Sequence, residues 1–280
     1  AAPASALERL FEPAIHHAEN GFPLTSFGAD ITAIFAHRLR PHASSASIIL
    51  DGDGRSPRPG DFIRNPRLAE SFRQVARHGK SVFYTGELAD RMVKAIRAMG
   101  GLLTGDDLAS YTAEWRTPIA IDYRGFRVHT MPPNCSSFQV LETLKVMEGF
   151  DSTEIKFQDP GTLHLMMEAV KLGVADRREF AGDPDHVDVP MKGLLSEEYT
   201  RARRKAIDMD RAFSEMPPPG EPWVYQGAPE KALTYEERLI GVPGGQEQDT
   251  SYTCVVDRWG NMFSATPSDG ASAVVPSLGF

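Results

Sequence analysis

Residues 249–261, Asp249-Thr250-Ser251-Tyr252-Thr253-Cys254-Val255-Val256-Asp257-Arg258-Trp259-Gly260-Asn261, decide how this chain is read. The run predicts a short strand that opens on a hydroxyl residue and closes in a tight turn. Met262-Phe263-Ser264-Ala265-Thr266 follows as a second strand. A glycine-rich approach, Val242-Pro243-Gly244-Gly245-Gln246-Glu247-Gln248, precedes it. A threonine at the head of a strand, fed by such a linker, suits a nucleophile that becomes a new N-terminus once the bond after Asp249 is cut. Its freed α-amine then serves as base for its own hydroxyl. On these residues alone, a plain hairpin with Thr250 opening its first strand is the more ordinary reading.

The bulk properties of the 280 residues allow one large domain or two small ones, with ample core in either case. A net charge of -8 argues against general nucleic-acid binding, which needs basic surface to neutralise phosphates. No run of about 18 apolar residues occurs, so no membrane span is expected. The first residues, Ala1 to Phe11, lack the basic start and apolar core of a signal peptide. The two cysteines permit one disulfide without demanding it. Cys135 is expected in a loop and Cys254 as a buried free thiol. The compartment, periplasmic or cytoplasmic, is not legible in these residues.

Helical periodicity dominates the first half. Apolar spacing predicts helices in Ala6–Phe11 and Ala14–Glu19, stopped by Asn20-Gly21-Phe22-Pro23. Asp30–Leu39 is expected to turn Ile31, Ile34, Phe35 and Leu39 to one side. Ile48-Ile49-Leu50 predicts a strand, and Asp51-Gly52-Asp53-Gly54 a plain turn, since the later ligands of a calcium loop are missing. Leu68–His78, Leu88–Met99 and Gln139–Met147 predict helices, with a capped turn at Thr104–Ala109 and a strand pair within Tyr123–Met131. Thr162–Phe180 predicts the longest helix, with Leu163, Met166, Met167, Val170, Val174 and Ala175 along its core stripe. Leu194–Ile207 reads as a basic, exposed helix, and residues 214–248 as a linker leading to Thr250.

His164 and Glu168 stand four apart on one helical face with Lys171 beyond, and they predict a salt network rather than a metal site. Asp176-Arg177-Arg178-Glu179 is expected to bind neighbouring backbone or itself. No phosphate loop or dinucleotide motif occurs, and neither cofactor nor metal is indicated.

In ordered fragments over nearly its whole length the chain resembles the γ-glutamyltransferase family of N-terminal nucleophile hydrolases. The fragments include Pro13-Ala14-Ile15, Asn20-Gly21-Phe22-Pro23, Phe83-Tyr84-Thr85-Gly86, Asp106-Asp107-Leu108-Ala109 and Tyr123-Arg124-Gly125. Further on come Met131-Pro132-Pro133, Ala175-Asp176-Arg177, Gly182-Asp183-Pro184, Asp249-Thr250 and Val255-Val256-Asp257 with Gly260-Asn261. The resemblance implies an α+β chain with the αββα sandwich of that superfamily, incomplete here. Residues 1–249 would be a largely helical large-subunit portion, and residues 250–280 the first strands of the small subunit. It implies self-cleavage between Asp249 and Thr250, a large/small subunit heterodimer, and an acyl-enzyme on Thr250. The acyl group of a γ-glutamyl compound or related small amide would pass to water or to an amino acid or peptide acceptor.

Carried over singly, Thr250 matches the nucleophile. Ser268, eighteen positions on, stands where the family has a threonine that bonds the nucleophile, and serine keeps that hydroxyl. Gly270 stands where an asparagine would bind the substrate α-carboxylate, and Asp269 adds a negative charge beside it. Ser251 and Tyr252 replace the usual Thr-His. These departures favour, as a second reading, an acylase or amidase acting on a non-glutamyl amide; a third is a processing-dead scaffold. The family's upstream substrate arginine and downstream glycine pair of the oxyanion hole have no counterpart in this segment. The chain alone is therefore expected to be incomplete as an enzyme.

Overall fold

A computed structural model describes residues 5–151, 153, 155–227, 252–267 and 274–280. The chain is α+β and divides into two compact units: residues 1–113 with 246–280, and residues 114–245.

The first unit is helical because its caps and stripes are written locally. Helix α1 (Ala6–Asn20) starts on a capping box in which Ser5 and Glu8 satisfy each other's backbone amides. A two-residue strand β1 (Phe22–Pro23) leads to α2 (Ser26–Leu39), capped by Thr25. Helix α3 (Ala43–Ile49) comes next, and the short strand β2 (Phe62–Ile63) pairs antiparallel with β1. Asn65 caps α4 (Pro66–His78), whose first residue is a proline that lacks the amide a helix start leaves unused. Helix α4 packs along α1, with the Phe11 and Phe72 rings 5.6 Å apart and Arg73 paired to Glu19. The short helix α5 (Ser81–Tyr84), α6 (Glu87–Ala98) and α7 (Gly105–Ser110) complete this half.

The core of this unit is closed from the other end of the sequence. Leu88 and Met92 of α6 are buried together with Val275 and Leu278, and Phe280 stacks on Phe83 at 5.7 Å. No sequence periodicity announces that contact, since residues 274–280 form a turn and not a helix or strand.

In the second unit, β3 (Ile119–Tyr123) and β4 (Phe126–Thr130) form a hairpin over the two-residue Arg124-Gly125 turn. Helix α8 (Phe138–Glu148) packs on β3 and on α9 (Pro160–Phe180). Two short helices, α10 (Met191–Leu194) and α11 (Glu197–Arg204), follow. One core holds Phe138, Phe180, Leu194 and Tyr199, and another Val146, Met147, Ala169 and Leu172.

Several expectations need correction. Ile48-Ile49 end a helix and do not form a strand, because the small residues from Ala43 onward carry the turn before them. Helix α2 buries Ala29 and Ala36, while Ile34 is exposed. On α9, Leu163, Met166, Met167 and Val170 are exposed, and the buried face runs through Leu165, Glu168, Ala169, Leu172 and Asp176. Hydrophobicity selects the wrong face there because two of its inward positions are carboxylates that find partners inside. Within 194–207 the helix is α11 alone, shorter than expected, and it is not wholly exposed: it buries Tyr199, Thr200 and Arg203. The expected linker is packed at its start: the Pro218 carbonyl accepts from Arg203, and the Gly220 amide donates to Asp176 at 2.8 Å. Its remainder, from residue 228, lies outside the described residues.

The pairing inside the second unit centres on Asp176. Tyr199 donates its hydroxyl to Asp176 Oδ2 at 2.6 Å, and Arg203 Nε lies 3.0 Å from the same oxygen. Glu142 of α8 is fully buried beside them, and neither of its oxygens meets a donor from another residue. Two carboxyl groups buried beside a single arginine are stable only when one carries a proton, because one arginine cannot balance two buried charges. Burial, reinforced by the neighbouring Asp176 charge, pushes the Glu142 carboxyl well above its ordinary 4.5. A carboxyl protonated in the fold and ionised when unfolded costs stability as pH rises from its ordinary value toward its raised one. Glu142→Gln keeps the shape and a donor but cannot ionise. Its urea midpoint is therefore expected to gain on the native chain's between pH 5 and pH 8, by an amount corresponding to about 1 kcal/mol or more. An identical difference at both pH values would show that Glu142 carries no proton.

Candidate functional site

The described part of the candidate site is the hairpin that follows the Asp249–Thr250 bond. Strand β5 (Thr253–Val256) pairs antiparallel with β6 (Met262–Ala265), Val256 opposite Met262 and Thr253 opposite Ala265. The turn between them is built by Asp257. Its Oδ1 accepts the amides of Trp259 and Asn261, both at 2.9 Å, and its Oδ2 accepts the Asn261 side chain at 2.8 Å. The Asp257 amide donates to the Asn261 carbonyl at 3.0 Å, and Gly260 takes the left-handed backbone the turn needs, with φ +83°. The Val-Val-Asp…Gly-Asn pattern is thus a turn device that sets the register of the strand leaving Thr250. The Asn261 side chain and the surrounding amides hold the Asp257 carboxyl below its ordinary value.

Ser264 donates to the Tyr252 hydroxyl at 3.2 Å, so Tyr252 is tied across the hairpin to the second strand. Cys254, expected to be buried, is an exposed free thiol, as is Cys135. Strand β5 is exposed on both sides, so the usual tendency of a free cysteine to be buried fails at Cys254.

The residues expected to carry chemistry, Asp249, Thr250, Ser268, Asp269 and Gly270, lie outside the described residues, as does Ser251. In sequence they fall immediately before the hairpin and between it and the Val274–Phe280 turn. The described structure therefore borders the Asp249-Thr250 pair on its downstream side and the 268–270 group on both sides.

The other candidates serve the scaffold. Glu168 accepts Lys171 at 2.7 Å and the Phe213 amide at 2.8 Å, and His164 bonds the Asp208 carbonyl at 2.8 Å. That triad fastens the 208–213 loop onto α9. Asp51 Oδ1 accepts the amides of Asp53 and Arg55 at 2.9 and 2.8 Å, so its acidic loop is a backbone turn. Among the described residues no group of three or more His, Cys, Asp or Glu is placed to hold a metal, and no helix is long and apolar enough to cross a membrane. The buried Glu142 was missed by sequence reasoning; a charged residue on the inward side of α8 was its only signal.

The α+β arrangement, in which the described strands form three separate two-stranded sheets, fits a portion of a chain of the N-terminal nucleophile hydrolase class. The sequence profile described as gamma-glutamyltranspeptidase matches residues 4–280, and the chain belongs to that family. It is 31% identical over 278 residues to the glutathione hydrolase proenzyme of Bacillus subtilis (strain 168), covering 98% of this chain and 46% of that protein. The same identity and coverages relate it to the acylase ACY 1 proenzyme of Pseudomonas sp. (strain SE83). The crystal structure of cephalosporin acylase from Bacillus halodurans superposes with a TM-score of 0.77 at 30% identity, over 98% of this chain and 47% of that one. The chain spans about half the length of the curated relatives it matches.

Replacing Asp257 by alanine removes the acceptor for three donors at the turn. The amides of Thr253–Val256 are expected to exchange hydrogen roughly tenfold faster in that variant. Because the Asp257 carboxyl is lowered, the protection it gives the native hairpin is present above the ordinary aspartate value and fades as pH falls through the lowered one. Unchanged exchange in Asp257→Ala would remove the turn from its role in fixing register.

Proposed function

We propose that the protein is a self-processing threonine hydrolase of the γ-glutamyltransferase type. It cuts its own chain before Thr250 and then uses Thr250 to open γ-glutamyl or related amides. The observation that carries this reading is Asp249-Thr250 placed directly before the Asp257-built hairpin, within a chain of this family. The Thr250 hydroxyl attacks the Asp249 carbonyl, nitrogen is displaced as the new α-amine, and water hydrolyses the resulting ester. The same hydroxyl, with the freed amine as base, then attacks a substrate amide. The amine product leaves, and water or an acceptor amine takes the acyl group. Ser268 is proposed to bond the nucleophile.

The second reading, an acylase for non-glutamyl amides, is favoured by a specific pair of residues. Gly270 has no side chain to bind an α-carboxylate, and Asp269 would repel one. Some relatives are named glutathione hydrolases and others acylases, so both readings stay within the family.

Turnover of a γ-glutamyl anilide by the full-length protein, compared with simple acyl amides, separates them. The first reading expects the γ-glutamyl compound to be preferred, and the second expects equal or faster turnover of the simple amides. In either case Thr250→Ala should lower turnover by at least about a thousandfold. Retained turnover in that variant would contradict both.

A further inference from the structure

We infer that residues 274–280 are the noncovalent latch that keeps the downstream fragment attached to the first unit once the chain is cut before Thr250. The inference rests on that proposed scission, but it stands on a separate set of contacts. Every carbonyl from Val274 to Phe280 is accounted for. Ser44 of α3 donates to the Val274 carbonyl at 2.9 Å, and Arg67 of α4 to that of Pro276 at 2.6 Å. The guanidinium of Arg91 on α6 donates to the Ser277 carbonyl. Ser71 donates to the Leu278 carbonyl at 2.8 Å, and Asn65 to that of Gly279 at 2.7 Å. The Val275 and Phe280 carbonyls are met within the turn, by Leu278 and Gly279 amides and by the Val275 amide.

This is recognition of a backbone by fixed donors, with two side chains, Val275 and Leu278, set in the core between them. Gly279 fits for two reasons. Its φ is +83°, and a Cβ there would lie 2.5 Å from both Asn65 Oδ1 and the Leu68 amide nitrogen at the start of α4. The remaining described part of the downstream portion offers little grip. The β5–β6 hairpin leaves Val255, Val256, Trp259, Met262 and Phe263 exposed. Among the described residues the hold on the first unit therefore falls on the latch.

Scission would leave the 250–280 portion with no covalent tie to the helices, so its retention becomes a binding problem in which these contacts take part. Turn and cradle are already formed in the uncut chain, so that little ordering remains to oppose the attachment.

The test supplies the cut from outside. A site-specific protease sequence inserted between Gly245 and Gln246 of the 280-residue chain is nicked, and release of the 246–280 piece is followed by size-exclusion chromatography. The native piece is expected to co-elute with residues 1–245. Gly279→Ala, and separately Asn65→Asp with Ser71→Ala, are expected to release it roughly tenfold faster or more. Asn65→Asp keeps the oxygen that caps α4 while losing the donor to Gly279, so that pair tests the latch even if Gly279→Ala fails to fold. Immediate release of the native piece, or equal retention in the Asn65/Ser71 variant, would overturn the inference. Either result leaves the scission reading untouched, because the protease makes the cut. A chain that never cuts itself, yet holds its nicked piece, would contradict the scission and not the latch.

Discussion

Seven consecutive carbonyls at the end of the chain find donors, five of them on α3, α4, α6 and the cap of α4, and the first unit depends on that closure. Leu88 and Met92 form the buried face of α6, against which Val82, Phe83 and Leu108 also pack. Val275 and Leu278 complete it from more than a hundred and fifty residues away in sequence. A contact of such separation is slow to find but, once made, ties the portion after Thr250 to the helices before it. The two sides of the proposed scissile bond are therefore parts of one folded unit.

The second unit meets a different constraint. Asp176 is wholly buried and holds a tyrosine, an arginine and a backbone amide at once. A buried carboxylate with this many donors fixes where α9, α11 and the 218–220 loop meet, because losing Arg203 would leave its charge uncompensated and losing either other donor would leave a buried oxygen short of a donor. The motif around Ala175-Asp176-Arg177, which runs through the family resemblance, is in this light a structural joint. It positions no chemistry among the described residues.

Much of this was legible from local signals. The cap at Thr104 and the turns at Arg124-Gly125 and Asp257–Asn261 are local signals, while the caps at Thr25, Asn65 and Asp159 start their helices a few residues before the apolar periodicity begins. The misreadings of α9 and α11 share a cause. On α9 the inward face carries Glu168 and Asp176, and on α11 Arg203, so hydrophobicity pointed outward where paired charges point inward. The Val274–Phe280 turn has no periodicity to read, and its partners are distant serines, arginines and an asparagine. For the site, the sequence places Thr250 by resemblance and places the turn behind it by chemistry. Asp269 and Gly270, the positions to which the resemblance assigns substrate recognition, lie where only sequence speaks.

Whether one hydroxyl becomes the leading residue of a daughter chain is settled most directly by intact mass and N-terminal sequencing of the full-length protein, purified at once and again after incubation. The account predicts a smaller fragment whose first residue is Thr250, accumulating with time and absent from Thr250→Ala. A single uncut chain after prolonged incubation, or a fragment beginning at any other residue, would contradict it.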